Sequence, residues 1–376
     1  MRNRSLRSFV SCAALALLVC SVLSVAQAQT FTYHSIGGLR APHGPSRITS
    51  LIIDPAGSLY GTSFYGGAEN VGTVFKVTEG GALTVLHSFS STVGGQSPWS
   101  IARDSKGNLY GATPYIRGEF DIAGTIFKVT PEANGKYNFG TLWSDNIIGP
   151  LSVAVDSSKN IYGIIQQDTG IVSGSCGSCL FQISQAGQWS DLWDFDYSSY
   201  NPQGRLVIDQ SGDVYGTIGG DGGSTSWGYV YKWSPVSGYS VLHSFSGSDG
   251  SYPNSLVLDA TGNVYGTTNE GGTNSLGTAF KITTAGEFST LYNFCALASC
   301  ADGYGPNGTI AVDASGNLYG TSNGPSRAMV YKVTGSGTES VIYGGKTFIS
   351  ALLVIDKSGD LFGIDSLGVY ELVASK

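Results

Sequence analysis

Short apolar runs separated by turn residues recur along this chain in a fixed order of four. The first run is apolar on both alternating faces, as in Ser50-Leu51-Ile52-Ile53, Ser100-Ile101-Ala102-Arg103, Ser152-Val153-Ala154-Val155 and Arg205-Leu206-Val207-Ile208. A strand of this pattern is covered on both sides. An Asp-x-x-Gly turn follows, in which the Asp side chain accepts backbone N–H groups and the Gly supplies a positive φ. The second run is built on a Tyr-Gly pair, with Tyr60, Tyr110, Tyr162, Tyr215, Tyr265, Tyr319 and Phe362 in register. Lys159 stands where the third copy should have its turn Gly, which predicts strain or a different turn there. The third run pairs an aromatic residue with Lys in most copies, as in Phe75-Lys76, Tyr231-Lys232 and Phe280-Lys281. The fourth reads Leu86-His87, Leu142-Trp143, Leu192-Trp193, Leu242-His243, Leu291-Tyr292 and Ile342-Tyr343.

The turn phrase, DPAGSLYGT from Asp54, returns from Asp104, Asp156, Asp209, Asp259, Asp313 and Asp356, at spacings of 50, 52, 53, 50, 54 and 43 residues. That is the length of a four-stranded propeller blade. The seventh copy has its third strand at Val369-Tyr370-Glu371 but no fourth, and Phe31-Thr32-Tyr33-His34-Ser35-Ile36 resembles the missing one, with His34 in the place of His87. The expected fold is therefore all-β: a seven-bladed β-propeller with four strands per blade, its closing blade completed by the N-terminal strand, so that no edge is left unpaired at the seam.

Residues 1–28 read differently. Arg2, Arg4 and Arg7 precede an apolar run from Phe9 to Leu23 and the small-residue end Ala26-Gln27-Ala28. This is the layout of a secretory signal peptide cleaved after Ala28, leaving residues 29–376 as a single propeller domain in a secreted, periplasmic or cell-surface setting. The chain carries a net charge of −7, and loss of the leader's three Arg makes it more acidic. No basic cluster suits nucleic acid, no later segment is long and apolar enough to span a membrane, and a polysaccharide or protein is the expected partner of a monomer. In an oxidising compartment Cys176 with Cys179 and Cys295 with Cys300 are the local disulfide pairs, each stapling a loop. No metal or cofactor motif is present, and no nucleophile elbow, HExxH or phosphate loop points to catalysis.

The GNLYGT phrase, the Gly-rich loop after it, GTVFKVT and LHSF together resemble the GloVer-type tandem-repeat proteins over nearly the whole mature chain, and more distantly the NHL-type propeller repeats. Copies three and seven depart from the pattern. The resemblance implies export and a repeat architecture, and it brings no catalytic residues.

Function has to be sought in the connections. Those between strands one and two, and between three and four, are short throughout, whereas those between two and three, and from four to the next blade, vary in length and emerge together on one face. Loops on a rigid scaffold are where binding is built. That face carries Glu69, Glu119, Asp121, Asp168, Asp221, Glu270, Asp196, Asp249 and Asp302 among Trp99, Tyr200, Trp227, Tyr252 and Tyr304. Rings beside carboxylates suit a sugar, by CH stacking and hydrogen bonds, although turn chemistry alone explains Asp249-Gly250 and Asp302-Gly303. Arg205 stands where other copies have Ser or Thr, and such a guanidinium needs an anionic partner, internal or supplied by a ligand. Trp99, Arg205, Asp221, Trp227, Asp249, Tyr252, Asp302 and Tyr304 are the candidate ligand-binding residues. The leading expectation is a non-catalytic binding propeller; the alternative is a carbohydrate-active hydrolase or lyase using two of the loop carboxylates.

Overall fold

The computed structural model describes residues 29–39, 43–91, 95–114, 124–145, 149–166, 178–195, 202–220, 226–344 and 349–375. These form twenty-eight strands in seven antiparallel four-stranded sheets, six of which run in chain order from an inner to an outer strand. The inner strands are Ser46–Ile53, Ser100–Arg103, Pro150–Val155, Pro202–Ile208, Ser251–Leu258, Tyr304–Val312 and Ile349–Ile355, in blades one to seven. Blade seven takes its outer strand, Phe31–Gly37, from the N-terminal end of the chain, paired with Gly368–Ala374. The seam is fastened again where the Ser375 amide donates to the Thr30 carbonyl at 2.8 Å.

Each blade is held by the chemistry of its repeat. Asp54 Oδ1 accepts the Ala56 and Ser58 amides, and the Tyr60 hydroxyl donates to Oδ2. The amide four residues on donates likewise to Asp104, Asp156, Asp209, Asp259, Asp313 and Asp356, and the phenol of the Tyr-Gly pair donates to Asp104, Asp156, Asp209 and Asp313, while Phe362 has none to give Asp356. Lys76, Lys128, Lys232, Lys281 and Lys332 lie over the rings of these tyrosines; in blade three Gln182 instead donates to the Tyr162 hydroxyl at 2.8 Å. The glycine of the Tyr-Gly pair is fixed by packing. A Cβ on Gly266 would meet Phe280 Cζ at 2.2 Å, because the aromatic ring of the third strand lies on the bare backbone of the second. The Lys159 turn keeps the geometry of its siblings, with the Lys159 amide donating to the Asp156 carbonyl at 3.0 Å, and Lys159 is forced to φ +65°.

The core lies between blades. Seven apolar clusters each straddle one interface, such as Tyr60, Val74, Phe89, Ile101 and Phe127 between blades one and two. Outside them a ladder of stacked rings crosses from one outer strand to the next: His87 on Phe139 at 3.6 Å, Trp143 on Trp189 at 4.9 Å, Trp193 on Tyr239 at 4.1 Å, His243 on Phe288 at 3.5 Å and Tyr343 on Tyr33 at 5.3 Å.

This ladder corrects the reading of the N-terminal strand. Val74 pairs with His87 in blade one, but its counterpart Val369 pairs with Gly37, and His34 lies opposite Glu371 as Thr84 lies opposite Lys76. The match is therefore displaced by three residues, and His34 is exposed. Tyr33 sets the register, since it stacks on Tyr343 and Tyr370 and its hydroxyl donates to Asp365 at 2.8 Å.

Candidate functional site

Strain marks the looped face. Of the left-handed residues other than glycine among the described residues, Lys159 lies on the face of short turns, while His43, Arg47, Asn70, Ser97, Tyr252, Ser275, Cys295, Ser299 and Cys300 all belong to the looped one. Such conformations cost about 1–2 kcal/mol each and need surrounding structure to hold them. Arg47, Ser97 and Tyr252 share one place at the start of the inner strand, at φ +52°, +52° and +55°. The Ser97 amide donates to the Val71 carbonyl and the Tyr252 amide to that of Trp227, so the kink stitches an inner strand to a loop of the preceding blade.

Two rings of polar ties surround the central channel below these kinks. In the upper, Thr49 Oγ1 donates to the Pro98 carbonyl at 2.6 Å and Asn254 Nδ2 to the Pro306 carbonyl at 2.8 Å. Trp99 holds the same place in blade two, so an indole that is 41% exposed replaces a tie. The lower ring is made of hydroxyls. Ser50, Ser100, Ser152 and Thr309 each accept the amide of Ile101, Val153, Leu206 or Leu353 from the next blade. Arg205 occupies this position in blade four and cannot accept. It reaches across the channel to blade one, where Nη2 donates to Ser50 Oγ at 2.8 Å and Nη1 to the Leu51 carbonyl at 3.2 Å. The open channel leaves some of its surface accessible, yet protein surrounds it on all sides, and burial lowers its pKa to about 10. It stays charged at neutral pH, and its partners are neutral.

Beside Trp99 stands a group that the sequence reading missed. Phe64 packs edge-on to Trp99 at 6.0 Å and to Tyr65 at 4.8 Å, and the Arg47 guanidinium lies over the Phe64 ring at 4.7 Å. Tyr65 is 42% exposed. Its signal was a contrast between repeats: the Tyr65 position, five residues after the tyrosine of the Tyr-Gly pair, holds Glu270 in blade five and Gly324 in blade six.

The remaining candidates are spread around the ring. Trp227, also partly exposed, covers Gly247 near the junction of blades four and five. Tyr252 and Tyr304 are half-buried at the starts of their inner strands. Asp249 caps its own loop. Burial pushes its pKa up, but the Ser246 amide and hydroxyl and the His243 ring outweigh this and hold the carboxyl below its ordinary value. Asp302 is fully buried, taking the Tyr292 hydroxyl and the Ala296 and Leu297 amides, so its carboxylate lies inside the loop and not on the surface. Glu69 is similarly occupied by the Ser91 amide and hydroxyl. Asp221, Glu119, Asp121, Asp168, Asp196 and Tyr200 lie outside the described residues. Cys295 and Cys300 form the expected disulfide. Cys179 is disulfide-bonded too, and its expected partner Cys176 lies outside the described residues.

A groove of about 600 Å³ opens on the opposite face, between the turns of blades four and five. Its charged walls are already engaged: Asp209 and Asp259 cap their turns, and Asp213 pairs with Lys232. No helix among the described residues is long and apolar enough to cross a membrane.

Among solved structures the chain is similar to a catalytically inactive virginiamycin B lyase from Staphylococcus aureus with quinupristin, at 12% identity and a TM-score of 0.63 over 91% of this chain and 99% of that one. It is similar also to PorZ, a bacterial surface component of the type-IX secretion system of Porphyromonas gingivalis, at 14% identity and a TM-score of 0.57 over 87% of this chain and 47% of that one. A third is hydrazine synthase of Kuenenia stuttgartiensis, at 15% identity and a TM-score of 0.57 over 89% and 98%. Identities this low establish the propeller fold alone. No curated protein matches the chain. The model of the Gloeobacter/Verrucomicrobia repeat matches residues 21–226 and 154–371, nearly all of the propeller, and the chain belongs to that family.

Proposed function

We propose that this protein is exported and serves as a binding module, holding a polysaccharide on its looped face at the junction of blades one and two. The observation that carries this reading is the exposed pair Trp99 and Tyr65 around Phe64, with Trp99 set beside the channel where blades one and five have polar ties. Large exposed rings grouped on a rigid, strained frame are costly to leave in water and suit the apolar face of a sugar ring. Binding is favoured over hydrolysis or elimination because the Glu69, Asp249 and Asp302 carboxylates are each engaged in hydrogen bonds within the loops, whereas acid–base catalysis needs two available carboxylates facing one bond.

A glycan panel tests this. Trp99→Ala and Tyr65→Ala should each weaken binding at least tenfold with the melting temperature unchanged, about 1.4 kcal/mol per ring. Glycan shortening would favour the enzyme reading. Retention only of proteins, with no glycan bound, would replace the polysaccharide by a protein partner. Export is checked separately by the N-terminus of the secreted or periplasmic protein, expected at Gln29.

A further inference from the structure

The inner strands have an unusual charge pattern for so acidic a chain. Beyond residue 28 the arginines are Arg40, Arg47, Arg103, Arg117, Arg205 and Arg327, and three of these six lie on inner strands, which contain no Asp or Glu in any of the seven blades. Arg103 is used locally, over the Tyr60 ring. Arg47 and Arg205 converge on the same blade junction. Arg205 ends at Ser50, whose Oγ also accepts the Ile101 amide, two residues along the strand from Trp99. Arg47 enters the aromatic group through Phe64. Among the described residues neither has a carboxylate within ion-pair distance; the ion pairs there are Lys232 with Asp213 and His243 with Asp249. A guanidinium has five N–H donors, and Arg205 spends two of them, on Leu51 and Ser50.

A charge brought into a channel without a counter-ion is costly unless an anion completes it. Structure alone does not require this one, since Ser or Thr at its place ties neighbouring blades in copies one, two, three and six. We infer that the ligand is an acidic polysaccharide, whose uronate carboxylates pair with Arg205 in the channel and Arg47 at its mouth while the sugar faces stack on Trp99 and Tyr65. Arg suits this role because its planar fork meets a carboxylate through two parallel hydrogen bonds. The inference rests on the polysaccharide reading above and narrows it to one class.

The test is calorimetric titration of the mature protein with oligomers of galacturonate, guluronate and glucuronate, and with the methyl esters of the same oligomers, which keep the sugar and remove the charge. At least one acid oligomer should bind ten times or more tighter than its ester, with affinity falling as salt rises. Arg205→Gln should abolish that preference, and Arg205→Lys, which keeps the charge and loses the fork, should weaken it; melting curves establish that both are folded. Equal binding of acid and ester, or acid binding that survives Arg205→Gln, overturns the acidic class and leaves the polysaccharide reading intact. Failure of every uronate oligomer while a neutral glycan binds through Trp99 does the same. If no glycan binds at all the underlying reading falls as well, and tight binding of poly-glutamate in their place would assign the arginines to an acidic peptide.

Discussion

Lys159 shows how strongly the repeat dictates geometry to a single residue. The turn from Asp156 to Asn160 keeps both backbone hydrogen bonds of the turns with glycine at this place and the Asn160 amide bond to the Asp156 side chain, so Lys159 is carried into the left-handed region at φ +65° rather than the turn changing type. The reason is cooperative: Asp156 accepts the Asn160 amide and the Tyr162 hydroxyl, and another turn would break both. Lys159→Gly should therefore stabilise the protein by about 0.5–1 kcal/mol, the relief of strain being offset in part by the greater freedom of glycine in the unfolded chain. Thermal or urea unfolding measures it, and an unchanged or lowered midpoint would mean that the turn carries no strain. Both the glycine and its absence were readable from the sequence, because one copy differed from six.

At the scale of the strand, the outer ladder is interrupted at the junction of blades five and six. Glu339 takes the position of Phe288 and Tyr239 and faces Tyr292 without a ring to stack on it. Burial, and the nearby Asp302 charge, push its pKa up to about 7. His87, stacked between its neighbours, is pushed down to about 4 by burial. The two have opposite linkage. Glu339 is raised above an unfolded value of 4.5, so its share of stability is complete below that pH and is lost as pH rises through about 7. His87 is depressed below 6.5, so its share is complete above 6.5 and is lost as pH falls through about 4. Glu339→Gln should gain on the parent from pH 5 to pH 8, by on the order of 1 kcal/mol once solvent screening of a half-exposed group is allowed for. His87→Phe should gain between pH 6.5 and pH 4. Differences in melting temperature that stay flat across these ranges would remove the effect. Strand order, turn positions and one ring of each ladder pair, from His87 to Tyr343, were legible, since these side chains repeat with the blade, whereas the partners Phe139, Trp189, Tyr239 and Phe288 were not. The register of Phe31–Gly37 was not, because its Leu-His-Ser-Phe likeness is local, whereas Tyr33 is placed by Tyr343 and Asp365 from the far end of the chain. The aromatic group at Phe64 and Tyr65 escaped for the converse reason: attention to what repeats overlooks the place where one blade differs.

For the molecule as a whole, the ring is as strong as its seam. Seven interfaces carry the core, and six join blades that are continuous in the chain, whereas blade seven is covalently incomplete without Phe31–Gly37. That strand brings Phe31 and Tyr33 against Tyr319, Tyr343 and Tyr370, and leads into Leu39 in the cluster between blades seven and one. Deleting residues 29–37 removes two large rings from that packing and exposes the whole length of Gly368–Ala374 as an edge. With about 1.5–3 kcal/mol for each large side chain that is fully buried, and less for these half-buried rings, a loss of at least about 2 kcal/mol is expected before any edge effect is counted. The uncovered edge should also pair with other copies, so the truncated protein should elute as dimers and larger species where the parent is expected to elute as a monomer. Lower stability alone would not single out the edge. A synthetic peptide of residues 29–39 should therefore return the truncated protein to its monomeric volume by adding the missing strand in trans, and the same peptide with Tyr33 replaced by Ser should fail, since Tyr33 sets the register. A truncated protein that melts like its parent and elutes as a monomer would show that the ring is closed by something other than this strand.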